Sequence, residues 1–65
     1  MQVRAYELFN TATEQPVEDS LYRSSEWREA NDLRRDLGPH YVVREIMIDR
    51  DELERRMAEI QAVYG

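Results

Sequence analysis

The chain is 65 residues long, with nine basic and fourteen acidic residues, a net charge of -5, one histidine and no cysteine. That length allows one domain and leaves no room for a deep active site beside a cofactor. Without cysteine the chain is not a disulfide-stapled miniprotein, a thiol enzyme or a cysteine-ligated zinc finger. No apolar run approaches the roughly 18 residues of a membrane span. No basic start followed by an apolar run marks a leader, so the expected compartment is the cytoplasm. At 42% apolar and 35% charged residues the chain is expected to fold. The acidic balance makes direct nucleic-acid binding an unlikely role. All nine basic residues are arginine, which reads as codon bias in a GC-rich genome or as guanidinium-rich interface chemistry.

Residues 2–9 (QVRAYELF) read as a strand, rich in Val, Tyr, Leu and Phe and free of breakers. Residues 10–16 read as a turn ending at Pro16. Residues 17–23, with Val17, Leu21 and Tyr22, return as an edge strand, so the two segments form a hairpin with a long loop. Ser24 and Ser25 offer an N-cap, and Glu26 suits the start of a helix. That helix runs to about Leu37. Its stripe Trp27, Ala30, Leu33 and Leu37 recurs at helical spacing, and Gly38-Pro39 stops it.

Residues 40–48 form the clearest strand, with Val42, Ile46 and Ile48 on one face and Tyr41, Val43 and Met47 on the other. A strand apolar on both faces is central or has a second covering layer. Asp49 and Glu52 have capping-box spacing before a last helix over about 50–63. That helix carries the stripe Leu53, Met57, Ile60 and Tyr64, and Asp51–Arg55 and Glu52–Arg56 pair at i, i+4. The expectation is a single small α+β domain in β-β-α-β-α order, a three-stranded sheet packed with two helices. The simplest packing puts one or both helices on one face. The third strand lies beside the first, with a right-handed crossover if the neighbours are parallel.

Candidate sites are few. His40, at the start of a strand, has no indicated nucleophile or orienting acid beside it and reads as a loop-end histidine. Asp49, Asp51 and Glu52 have the oxygen chemistry of a Mg²⁺ or Ca²⁺ site, but no glycine-bearing loop follows and helix capping explains them. No metal or other cofactor is expected. The basic doublets Arg34-Arg35 and Arg55-Arg56 lie among acids at one-turn spacing and read as salt-bridged surface. Trp27, on its helix stripe, reads as core, with a partner contact as the alternative.

Two features point to a protein partner. One is an apolar set that helices on only one sheet face would leave exposed, Tyr41, Val43 and Met47 with Tyr6 and Leu8 beside them; Trp27 and Tyr22 follow as further contact candidates. The other is a pair of carboxylate clusters, Glu14, Glu18 and Asp19 in the first loop and Asp49, Asp51, Glu52 and Glu54 later. On one side of the molecule these would imitate a phosphate backbone.

In size, acidity and element order the whole chain resembles small acidic accessory proteins of phages and mobile elements, such as anti-CRISPR proteins; no diagnostic motif carries the resemblance. It implies a non-enzymatic inhibitor that blocks a host protein complex by surface occupation or acidic mimicry. The alternative is a small homo-oligomeric, antitoxin-like subunit, a homodimer joined through the third strand or the last helix.

Overall fold

A computed structural model describes residues 1–64, with Tyr64 described in its backbone only. Strands β1 (Gln2–Asn10) and β2 (Gln15–Arg23) form an antiparallel hairpin. A single 3-10 turn at Ser24–Glu26 leads into helix α1 (Trp27–Leu37). Strand β3 (Tyr41–Asp49) and helix α2 (Arg50–Tyr64) complete the chain. The sheet order is β2-β1-β3, so β1 is central and the expected α+β architecture is present.

β3 lies beside β1 as expected, but antiparallel to it; the parallel pair is β2 and β3, which flank β1 and are joined through α1. The β1–β3 ladder is unbroken, from Gln2 opposite Asp49 to Asn10 opposite Tyr41. Just past its ends, Thr11 N–H donates to the His40 carbonyl (2.8 Å) and Arg50 N–H to the Met1 carbonyl (2.9 Å). These two bonds fix the phase of the ladder. Odd-numbered β1 residues and even-numbered β3 residues exchange backbone hydrogen bonds, and the intervening pairs do not.

Directly opposed residues share a sheet face. Val3 opposite Ile48 and Ala5 opposite Ile46 therefore define one face, and Tyr6 opposite Glu45 and Leu8 opposite Val43 the other. α2 covers the first face. Ala5, Leu21, Ile48 and Leu53 are buried together there, with Val3, Ile46, Met57 and Ile60 packed against them. α1 packs on the sheet without meeting α2 and covers the second face, where Leu8 and Ala30 are fully buried. The helices thus take opposite faces rather than one, because β1 and β3 present apolar residues at both parities. The stripe of α2 is used in this core; its last member, the Tyr64 side chain, lies outside the described residues.

Local chemistry explains the remaining differences from expectation. β2 begins at Gln15 and includes Pro16, because Pro16 opposes Phe9, an odd β1 residue whose backbone bonds go to β3. The missing N–H then faces outward at a sheet edge, where proline is tolerated. The Asn10 carboxamide accepts from Ala12 N–H (2.9 Å) and Thr13 N–H (3.3 Å), closing the turn tightly. Between Leu21 and Pro16 strand β2 leaves register, with Asp19 at a positive φ of 61°. Ser20 bridges the gap: its hydroxyl accepts from Leu8 N–H (3.1 Å) and donates to the Val17 carbonyl (2.7 Å).

Neither Ser24 nor Ser25 caps a helix through its side chain. The Glu26 carboxylate instead reaches back to Arg23 N–H (2.9 Å). α1 ends at Gly38, at φ 125° and ψ -178°, whose N–H bonds the Arg34 carbonyl (3.2 Å). Asp49 caps α2 as expected, with its carboxylate accepting from Asp51 N–H (2.9 Å).

Two predictions follow from the packing. Leu8→Ala and Leu53→Ala each remove a buried side chain from a different face and should each cost about 2–5 kcal/mol in urea unfolding. A loss under about 1 kcal/mol from either would show that its face is not a packed layer. Gly38→Ala should cost about 1–3 kcal/mol although nothing lies within 4 Å of the added Cβ, because the backbone region is close to glycine-only. An unchanged urea midpoint would contradict this.

Candidate functional site

The face under α1 gathers the aromatic and aliphatic residues that the sequence singles out. Tyr6, Val43 and Tyr41 are half-buried, and Met47, opposite Arg4, is 61% exposed. Tyr22 opposes Tyr6 and is half-buried near the start of α1, where burial and then the Glu26 and Glu29 carboxylates push its phenol above the ordinary tyrosine range.

Trp27 is not a core residue, because it is 48% exposed. Of its stripe only Ala30 is buried; Leu33 and Leu37 are exposed as well. The reason is geometric. A small residue at the closest approach lets α1 lie near the sheet; Trp27 and Leu33, about 60° to either side of it, are pushed to the flanks, and Leu37, about 20° from its line, is exposed at the helix end. α1 starts after Arg23, beside Ala5, and ends before Tyr41, beside Asn10. Trp27 and Met47 therefore stand at one end of this face and Leu37 at the other. Helical spacing singled out Leu33 and Leu37 as apolar; only the depth of the helix shows them exposed.

The acids are arranged differently. Glu14 is in the hairpin turn beyond Asn10, whereas Asp49 opposes Gln2. The first group runs from that turn back along β2, with Glu18 and Asp19 between Pro16, opposite Phe9, and Leu21, opposite Glu7, while the second begins at the Gln2 end of β1 and continues into α2. In the second group the charges are largely engaged within the chain. Asp49 caps α2 and accepts from the Met1 amine (3.2 Å). Glu54 forms a two-point pair with Arg23, one contact at 3.0 Å. Glu52 lies 3.8 Å from Arg55, which also pairs with Glu59 (3.2 Å). Arg55 takes these partners instead of the expected Asp51, and Asp51 is exposed. The amine and the two helix N–H groups hold the Asp49 carboxyl below its usual range, and Arg23 does the same for Glu54.

A shallow cleft of about 260 Å³ lies between the start of β1, the Ser24-Ser25 turn and the start of α2. Arg4, Arg23 and Arg50 line it, together with Glu54. Arg4 is paired with Glu45 and Arg23 with Glu54, so much of the positive charge is already matched. The volume is below the roughly 300–1,000 Å³ of ordinary small-molecule sites.

On the other face, Arg44 stacks on the Phe9 ring (4.3 Å) and pairs with Glu7 (2.9 Å) beyond the α2 core. His40 is exposed at the turn before β3. Among the described residues no group of three or more His, Cys, Asp or Glu is placed to hold a metal ion, and no helix is long and apolar enough to cross a membrane.

No protein-family model matches the chain, and no curated protein or solved structure shows significant similarity to it.

The carboxylate pairs predict an acid-side loss of stability. Asp49 and Glu54 have folded pKa values below their unfolded ones, so their contribution is present above the ordinary carboxylate pKa of about 4 and is lost as pH falls through the folded values. Urea midpoints should hold steady from neutral pH and decline on acidification. Glu54→Gln should lower the neutral-pH midpoint slightly and flatten the decline. An acid profile identical to that of the unsubstituted chain would count against the Arg23–Glu54 pair.

Proposed function

We propose that this chain is a non-enzymatic protein-binding module that works by occupying a partner's surface with the α1 side of the molecule. The carrying observation is the exposure of Trp27, Leu33, Leu37 and Met47 around a helix that buries only Ala30. Of the seven large apolar side chains exposed among the described residues these four lie on the α1 side, whereas Val42 and Val63 belong to the α2 side and Met1 to the chain start; apolar area gathered on one side is what marks an interface. Tryptophan is among the residue types that dominate binding energy. On this reading the protein acts in the cytoplasm as small phage-type inhibitors do, by blocking a host protein complex.

Surface occupation is better supported than acidic mimicry. A phosphate-like surface needs carboxylates gathered on one side and free to face a partner. Here the first group is strung along the hairpin turn and β2 and the second is gathered at the start of α2, and Asp49, Glu52 and Glu54 spend their charge on Met1, Arg55 and Arg23.

The test is capture of a stoichiometric partner by the tagged protein at low salt and at about 0.5 M salt, where exposed charge pairs are screened within a few Å. Trp27→Ala and Leu33→Asp should abolish capture, while urea midpoints confirm that both variants fold. The unsubstituted chain should hold its partner at high salt. A partner lost at high salt but indifferent to Trp27→Ala and Leu33→Asp would overturn the reading in favour of charge-driven binding.

A further inference from the structure

The two edges of the sheet are unlike. The β2 edge carries Pro16, an irregular stretch between Leu21 and Pro16, and Asp19 at positive φ. Each is a feature that discourages another strand from pairing. The β3 edge has none of them. It is nine residues long, in unbroken register with β1 and free of proline, and its exposed charges are Arg44 and Glu45.

The ladder phase says what this edge offers. Even-numbered β3 residues spend their N–H and C=O groups on β1, so those of the odd-numbered residues point outward. Tyr41 N–H is taken by the Gly38 carbonyl (3.3 Å). Val43, Glu45 and Met47 follow, with no backbone partner on that side among the described residues.

We infer that β3 is a self-association edge on which a second copy of this chain pairs antiparallel, joining two sheets into one of six strands. A second copy is the occupant that fits for two reasons. Each molecule has one pairing-competent edge, so two copies satisfy both and close about a two-fold axis, while the β2 edge blocks open-ended growth. The charges also select a register. A two-fold on Arg44 or Glu45 sets like charges directly opposite each other, which is destabilising. A two-fold on Val43 gives a short overlap that runs into Gly38-Pro39. A two-fold on Ile46 sets Ile46 against its own copy, Glu45 against Met47, Val43 against Asp49 and Arg44 against Ile48. No like charges meet, and the overlap spans Val43–Asp49. This inference does not draw on Trp27, Leu33 or Leu37; Met47 alone is common to the two surfaces.

Molar mass by light scattering should rise from monomer to dimer between about 1 µM and 1 mM. Met47→Glu, at an exposed position, places a carboxylate opposite Glu45 of the second copy and should weaken association at least about tenfold. Because the chain has no cysteine, Ile46→Cys tests the register directly. Opposed residues at this kind of position are about 4.5 Å apart between Cα atoms, within disulfide range. Ile46→Cys should therefore cross-link on mild oxidation, and Arg44→Cys should not. A monomer at about 1 mM overturns the inference, as does a dimer indifferent to Met47→Glu or cross-linking through Arg44→Cys instead. If Ile46→Cys fails to fold, Met47→Glu decides. An unsubstituted chain that stays monomeric yet shows α1-dependent capture would refute this inference and leave the proposed function standing.

Discussion

The central strand β1 is the element on which the rest of the molecule depends. Its backbone is bonded to β3 through odd-numbered residues and to β2 through even-numbered ones, while its side chains serve two separate cores. Val3 and Ala5 meet α2 on one face, and Leu8 meets α1 on the other. A shift of one residue in the β1–β3 register would turn one strand over, bringing Arg4 where Ala5 now packs or Glu45 where Ile46 does. The ladder is nine pairs long, and the bonds from Thr11 and Arg50 clamp its two ends. A domain this small buries a limited share of its surface, so serving two thin layers from one strand uses the available apolar side chains economically.

That arrangement also produces the surface features. Two thin layers need little from each helix. α1 supplies Ala30 at the closest approach and leaves Trp27 and Leu33 at its flanks and Leu37 at its end. The charged residues then knit elements that are distant in sequence: Arg23 of β2 to Glu54 of α2, Arg44 of β3 to Glu7 of β1, and Arg4 of β1 to Glu45 of β3. These pairs are solvent-exposed on at least one side and are worth little singly. They draw Glu54, Glu7 and Glu45 into the chain's own structure.

Much of the order of elements was legible in the sequence, because local chemistry sets it. Gly38-Pro39 ends α1 and Asp49 caps α2, so β3 between them was bounded on both sides. The apolar parity of residues 41–48 showed that both faces of β3 needed cover, though not which helix covers which. The sequence places Trp27 in the core and the structure does not, because helical spacing reports that a residue is on the apolar side, not how close that side comes to the sheet. Pro16 was placed outside the strand because its tolerance depends on ladder phase, a non-local property. The capping role fell to Glu26 instead of Ser24 or Ser25 because a 3-10 turn precedes the α-helix. Of the candidate contact residues, Tyr6, Tyr22, Trp27, Tyr41, Val43 and Met47 do share one side, and Asp49, Asp51, Glu52 and Glu54 form a separate group at the start of α2. The long-range arginine pairs had no signal in the sequence.

Residue-resolved amide hydrogen exchange on the dilute protein is the most direct test of the β1–β3 ladder. The account predicts slow exchange at Val42, Arg44, Ile46 and Ile48 and fast exchange at Val43, Glu45 and Met47. Protection at the odd-numbered amides of the dilute chain, or its absence at the even-numbered ones, would contradict the ladder phase. The two-layer fold and the free edge would then both have to be rebuilt.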